Sequence, residues 1–478
     1  MRNFIVLGCG TVGKCLLALL ARNPLIAHDR IIVADKKPEP AEFSEYALLG
    51  MRYVRLSITP DNLAALLSEV VAPGDLLINL SVSVRSLDVA DWCQLRGAMY
   101  LDTGFEPWEE DIFGSSQQPH ERTQYWEHYT ARRHAARWQA GGPTAIFSHG
   151  ANPGLVSHYA KAGLIDYARA ARHGRTLVTP TTQSDWAALA RSLDVRVLHI
   201  SEQDSQITSV PKQVDEFVNT WSIYGFLEEA TRPVEIGWGS HEAVRPPTAL
   251  EYSDGPRNCI YMPMPAYEFH LKSWVPGRGA IEGLALPHSE TVTISEYFTL
   301  QEEGRTLYRP TVAYCYLPCD SALASLHEAR MKGWTLPARV RVLEKDIVDG
   351  VDELGVLILG GTHGGWWFGS QLSIAQVRTI APGSNAAALL VAAGAYSAAK
   401  WMVRNPCRGY LESDQLPYDE VLEAAAPYLG NIVSTKTDWM PEERSSLTYS
   451  KQHATAADPF QFRRFVVDRD CRGAPHEG

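Results

Sequence analysis

The run Gly8-Cys9-Gly10-Thr11-Val12-Gly13 follows directly on a short apolar segment, Asn3 to Leu7, and leads into Cys15, Leu16, Leu19 and Leu20 at helical spacing. Strand, glycine turn and helix in that order form the context in which G-x-G-x-x-G signals phosphate binding. Gly8 permits the tight turn, Gly10 lets backbone N–H groups close on a pyrophosphate, and Gly13 lets the helix lie against the strand. Thr11 and Val12 stand at the helix N-terminus, where unpaired N–H groups and the helix dipole favour an anion. A second apolar strand, Ile31 to Ala34, ends in Asp35, 22 residues after Gly13. An acid there accepts hydrogen bonds from ribose hydroxyls and repels a 2′-phosphate, so NAD is expected over NADP. Lys36 and Lys37 soften that preference, and a glycine turn that only packs is the plain alternative.

These residues need a sheet to position them. Three further apolar runs, Tyr53 to Leu56, Leu76 to Leu80 and Ala98 to Leu101, are separated by helix-length segments, as a doubly wound parallel sheet requires. Ligands of such sheets sit beyond the carboxyl ends of the strands. Asn79, Ser81 and Asp102 fall there, either as cofactor contacts or as strand-end turn residues, and Glu106-Pro107-Trp108 follows. After the run Thr144 to Ser148 comes Gly150-Ala151-Asn152-Pro153-Gly154. Asn before Pro predicts a helix start with Asn152 as its cap; the same amide could hold a nicotinamide carboxamide or a substrate amine.

Composition narrows the class. The chain has 478 residues, enough for two or more domains, with 45% hydrophobic and 21% charged residues. A formal net charge of −11 without a basic stripe argues against nucleic-acid binding and tilts toward cationic partners. Asn385 to Met402 is the one stretch long and apolar enough to suggest a membrane span, but its small residues and Lys400 predict a buried helix returning to the first sheet. Eight scattered cysteines complete no zinc pattern, so reduced thiols, no metal and a cytoplasmic protein are expected. The chain reads as an NAD-binding unit over 1–155 and about 378–437, a mixed α+β substrate and dimerisation domain over 156–377, and an arm over 438–478 that packs on a neighbour. Val292, Ile294, Phe298 and Leu300 alternate with polar residues and predict a half-exposed antiparallel strand, as do Leu307 to Tyr316 and Arg339 to Leu343. Gly360 to Gly365 predicts a hairpin or lid turn.

Several segments in order resemble the bacterial homospermidine synthases, relatives of the saccharopine dehydrogenase-like reductases. Besides the glycine turn these are NLSV (Asn79–Val82), DTGFEPW (Asp102–Trp108), GANPG (Gly150–Gly154) and FVNTWS (Phe217–Ser222). YRPT (Tyr308–Thr311), DELGVL (Asp352–Leu357) and GSQLS (Gly369–Ser373) complete the set, which spans nearly the whole chain. The resemblance implies a homodimer that joins two putrescines, or spermidine and putrescine, into homospermidine, with NAD lending and recovering a hydride. It also implies that Glu106 and Glu202 anchor the inner diamine, Trp221 covers the cationic centre, Glu229 meets the distal ammonium and His288 shuttles protons. By residue type alone Trp221 reads as core, Glu202 and Glu229 as solvated helix positions, and His288 as a turn residue after Pro287. Ser83 stands where the family carries an acid, and Gly360–Gly365 also departs from its pattern. A carboxyspermidine or saccharopine-type NAD(P)H-dependent dehydrogenase is the first alternative, and a non-catalytic NAD sensor the second.

Overall fold

The computed structural model describes residues 3–112, 118–171, 178–335, 337–361, 363–441 and 458–467. Its first layer is a seven-stranded sheet built on β1 (Phe4–Leu7), β2 (Ile31–Asp35), β3 (Arg52–Arg55), β4 (Leu76–Asn79), β5 (Met99–Asp102) and β6 (Ala145–Phe147). The order is Tyr410–Glu412, β6, β5, β4, β1, β2, β3, and every pairing is parallel. β1, β4, β5 and β6 are buried along their whole length, which is why their sequences are unbroken apolar runs. The strand order reverses at β1–β4, the switch point where an open sheet offers a ligand crevice.

The second sheet is mixed. Its path runs Leu250–Glu251, β9, β8, β10, β7, β11, β12, β13, with β7 (Val195–Asp204), β8 (Pro233–Gly237), β9 (Cys259–Pro265), β10 (Thr311–Leu317), β11 (Val351–Gly360), β12 (Gly365–Ser373) and β13 (Asn431–Thr437). β7 pairs in parallel with β10 and antiparallel with β11. Helix α1 (Leu155–Ala171) lies on the face carrying Ile358 and Phe368, where a Cβ added at Gly163 would stand 2.9 Å from Phe368. The returning helix Ala386–Arg404 packs on the helix after the glycine turn, Thr11–Arg22. It is the one helix among the described residues long and apolar enough to cross a membrane, and 83% of that window is buried inside the protein.

Four expectations change. The alternating segment at Val292 is not a strand: Ser289–Tyr297 is a helix whose Thr291, Thr293 and Ser295 are buried. It lies so close to β8 that a Cβ at Gly237 would stand 2.6 Å from Ser295. Asn152 does not cap a helix; the helix begins at Leu155. Residues 150–154 instead close on themselves, with the Gly150 N–H donating to the Pro153 carbonyl (2.7 Å), a cis Asn152–Pro153 peptide and Gly154 at φ +130°. The 378–437 segment splits, since Tyr410–Glu412 joins the first sheet and β13 the second. The described part of the tail packs on its own chain: Phe462 and Phe465 are buried, and the Val467 N–H donates to the His270 carbonyl. The rest of that expected arm, 442–457 and 468–478, lies outside the described residues, as does Thr362 in the Gly360–Gly365 turn, which joins β11 to β12 as a hairpin.

Candidate active site

The glycine turn has the tight bend at Gly8 and the close helix packing at Gly13 that its spacing implies. Gly8 adopts φ +103°, and a Cβ there would stand 2.6 Å from the Leu80 carbonyl oxygen; one at Gly13 would stand 2.3 Å from the Gly8 oxygen. A Cβ at Gly10 would meet nothing within 4 Å, and Gly10 precedes a helix with no side-chain cap. Open space over uncapped N–H groups is what a pyrophosphate needs. Asp35 ends β2 beside the turn: its Oδ2 accepts from the Cys9 N–H (2.6 Å) and its Oδ1 from the Lys37 N–H (2.7 Å). The Thr11 hydroxyl donates to Glu344, so the second domain reaches over the turn; Val12 is half-buried there.

Asn79 and Asp102 brace the strand ends. Asn79 Oδ1 accepts from the Ser81 hydroxyl (2.7 Å), and its Nδ2 donates to the Val84 carbonyl (3.2 Å). Asp102 accepts from the Tyr100 hydroxyl (2.8 Å) and the Ser148 N–H (2.6 Å); burial pushes its carboxyl up to about 7 against both bonds.

Four of the expected site residues join in one chain of contacts. Glu202 lies on β7, buried rather than solvated, and its Oε2 accepts from the Asn152 amide (2.7 Å) and from the Tyr314 hydroxyl. The Tyr314 ring lies 4.4 Å from the His288 ring. His288 stands between two acids, with Nε2 3.0 Å from Glu229 and Nδ1 3.3 Å from Glu290. Burial opposes its charge, but the two carboxylates prevail and hold the imidazole well above its ordinary value, as a cation. Burial pushes the Glu202 carboxyl up to about 7, with Asp204 adding to it against the two hydrogen bonds.

Sequence reasoning assigned no role to Tyr314, Glu290, Asp204 or Asp352. Asp204 sits opposite Asp352 across β7–β11, on the face that carries Glu202. The Thr220 hydroxyl donates to Asp204 (2.7 Å), whereas among the described residues no donor reaches either oxygen of the buried Asp352. Burial and its two acidic neighbours hold Asp352 well above the carboxylate range. The legible signal was a carboxylate set inside an apolar strand, in HISEQD and VDELGVL.

Trp221 and Glu106 are not joined to this chain by a direct contact. Trp221 is half-buried against Phe226 (5.2 Å between rings), which meets Tyr316 at 6.0 Å; Tyr316 stacks on Tyr314. Glu106 accepts from the Ser83 N–H (3.1 Å), with Ser83 at φ +65°, so Ser83 supplies a backbone donor. Burial, with Glu228 and Asp102 adding to it, pushes Glu106 up to about 8; it lines a pocket of about 150 Å³ with Arg232 and Glu228. Among the described residues no group of three or more His, Cys, Asp and Glu is arranged to hold a metal.

These shifts set a stability trend. Glu202 and Glu106 are raised above the ordinary carboxylate value, so the folded state keeps protons the unfolded chain has lost. That stability is lost as pH climbs through each folded value, and His288, raised by its partners, acts in the same direction above its own ordinary value. Melting temperature is therefore expected to fall between about pH 6.5 and pH 8, and Glu106→Gln should flatten the upper part of the curve. Melts across that window check it.

Two families match in sequence: the one described as "Saccharopine dehydrogenase NADP binding domain" over residues 4–146, and the "Saccharopine dehydrogenase C-terminal domain" over 150–437. A homospermidine synthase of Blastochloris viridis is 37% identical over 473 residues, covering 97% of each chain. That of Mesorhizobium japonicum is 33% identical over 470 residues, covering 97% of this chain and 96% of its own. The crystal structure of the homospermidine synthase from Legionella pneumophila in complex with NAD superposes with a TM-score of 0.89 at 35% identity, covering 98% of both chains.

Proposed function

Since this chain belongs to the bacterial homospermidine synthases of the saccharopine dehydrogenase-like superfamily, we propose that it condenses two putrescines into homospermidine and ammonia, or spermidine and putrescine into homospermidine and diaminopropane. NAD, as in the Legionella relative, would sit on the Gly8–Gly13 turn with Asp35 at its ribose; it supplies a hydride acceptor that returns what it takes. The observation that carries the reading is the buried chain Asn152–Glu202–Tyr314–His288–Glu229, with Asp204 and Asp352 on the same sheet face as Glu202.

A diamine is a dication in water, and burying it needs anionic partners. Glu202 meets one ammonium, and Glu229, 19% exposed, the other from nearer solvent. Hydride leaves only a carbon whose amine is neutral, so a base must first take an ammonium proton. Glu202 suits that step, since a carboxyl raised to about 7 both accepts and returns a proton near neutrality. Asn152 and Tyr314 both donate to Glu202 Oε2, which aims the carboxylate. Tyr314 itself is held well above its ordinary value by burial and Glu202, so it stays a donor. Hydride removal leaves an imine; the second amine adds to its carbon and displaces ammonia, and the new imine takes the hydride back. Trp221 would hold the cationic imine over its ring, worth about 2 kcal/mol when desolvated, and Glu106 would anchor the inner amine. The family expectation of a homodimer belongs to the same proposal.

A saccharopine-type dehydrogenase would need Arg or Lys to grip an α-carboxylate. The contact chain around Glu202 contains neither, and the nearby Arg232 pairs with Glu127 and Glu228. The test is incubation with putrescine and NAD alone. Homospermidine and ammonia should form in equal amounts without NADH accumulating. NADH made or consumed in step with product would favour the dehydrogenase, and no reaction with any amine the sensor.

A further inference from the structure

Side chains alternate across a strand, so the acids of the candidate site have neighbours on the opposite face. Gln203 follows Glu202 on β7, Glu353 follows Asp352 on β11, and the two stand opposite each other, with Gln371 of β12 opposite Glu353 in turn. This row lines a cavity of about 580 Å³ behind the catalytic sheet, a volume suited to a small ligand. Gln203 is 7% exposed, and its amide makes no hydrogen bond among the described residues. Glu353 is 5% exposed: its Oε1 accepts from the Gly277 N–H (2.8 Å) and from Gln371 Nε2 (2.5 Å), while among the described residues nothing donates to Oε2. These unpartnered atoms belong to largely buried residues and open onto the cavity, where an occupant can meet them.

The lining carries two charged residues, Glu353 and the exposed Arg278, which takes part in no hydrogen bond or ion pair among the described residues. We propose that this cavity binds a small zwitterion, a molecule with one ammonium and one carboxylate group such as an amino acid. The ammonium N–H groups donate to Glu353 Oε2 and to the amide oxygens of Gln203 and Gln371, which flank it at cross-strand spacings of about 5 Å. The carboxylate pairs with the Arg278 guanidinium, whose planar fork matches it. A diamine would bring a second cation to Arg278, and a dicarboxylate a second anion to Glu353; a zwitterion satisfies both.

Calorimetric titration of the whole protein with five four-carbon probes tests this: L-2-aminobutyrate, 4-aminobutyrate, 1-aminobutane, butyrate and putrescine. At least one aminobutyrate should bind once per chain, with 1-aminobutane and butyrate weaker by about tenfold or more. Arg278→Ala and Gln203→Leu should each weaken that aminobutyrate by a similar factor, while putrescine turnover and melting temperature stay at wild-type values. Heat from neither aminobutyrate, which would leave water as the occupant, overturns the proposal. So does equally tight binding of 1-aminobutane, or binding that survives both substitutions.

Discussion

Glu202→Gln is expected to lower kcat/KM for putrescine by about 30-fold or more while the chain melts no lower than the parent. Glutamine keeps the size of the side chain and an oxygen to accept from Asn152 and Tyr314, so the local hydrogen bonds survive. What disappears is the charge. For catalysis that removes both an anionic partner for a buried ammonium and the base that frees its amine; breaking one side of a buried charge pair costs about 2–5 kcal/mol. For the fold it removes one of three carboxyls, with Asp204 and Asp352, that share a buried face and are all raised chiefly by burial. Activity and stability should therefore move apart. A variant that loses both, or keeps both, would make Glu202 an ordinary structural residue.

The second large effect concerns the glycine turn. Gly10→Ala should leave the cofactor-free chain folded, at a cost of less than about 1 kcal/mol, because Gly10 has an ordinary φ of −74° and open space around its missing Cβ. The methyl group nevertheless occupies the approach to the uncapped N–H groups, and NAD affinity is expected to fall by about tenfold or more. Gly13→Ala should damage the fold itself, since its Cβ would lie 2.3 Å from a backbone oxygen. Equilibrium binding of NAD to the two variants, read beside their melting curves, separates the roles. Undiminished NAD binding by Gly10→Ala would remove the pyrophosphate from this turn.

The Rossmann half was legible because its physics is local. Parallel strands buried on both faces must be apolar throughout, and Gly8 and Gly13 are forced by contacts of single backbone atoms. The second domain obeys no such simple period. Thr291, Thr293 and Ser295 are buried polar residues that let the Ser289–Tyr297 helix settle against Gly237, and their alternation with Val292 and Ile294 imitates a strand. Asn152-Pro153 carries the signature of a helix start, but the Gly150–Gly154 clasp, a tertiary feature, holds the amide toward Glu202 instead. Asp204 and Asp352 escaped notice because charges are expected outside; their meeting depends on the β7–β11 register, which lies some 150 residues apart in sequence and is invisible to any window. Asn152 came from its own Asn-Pro motif and Glu202, His288 and Glu229 from the family resemblance, and the contacts bring those four together. Trp221 and Glu106 came the same way and stand apart from them.

The central claim is that the hydride is lent and recovered inside the site. Putrescine deuterated at both nitrogen-bearing carbons, supplied with NAD and an excess of unlabelled NADH, tests it in one mass spectrum. The account predicts homospermidine that retains every deuterium, because the one removed from the first diamine returns to the same carbon. Product one deuterium short, with the label found on NADH in solution, would contradict it.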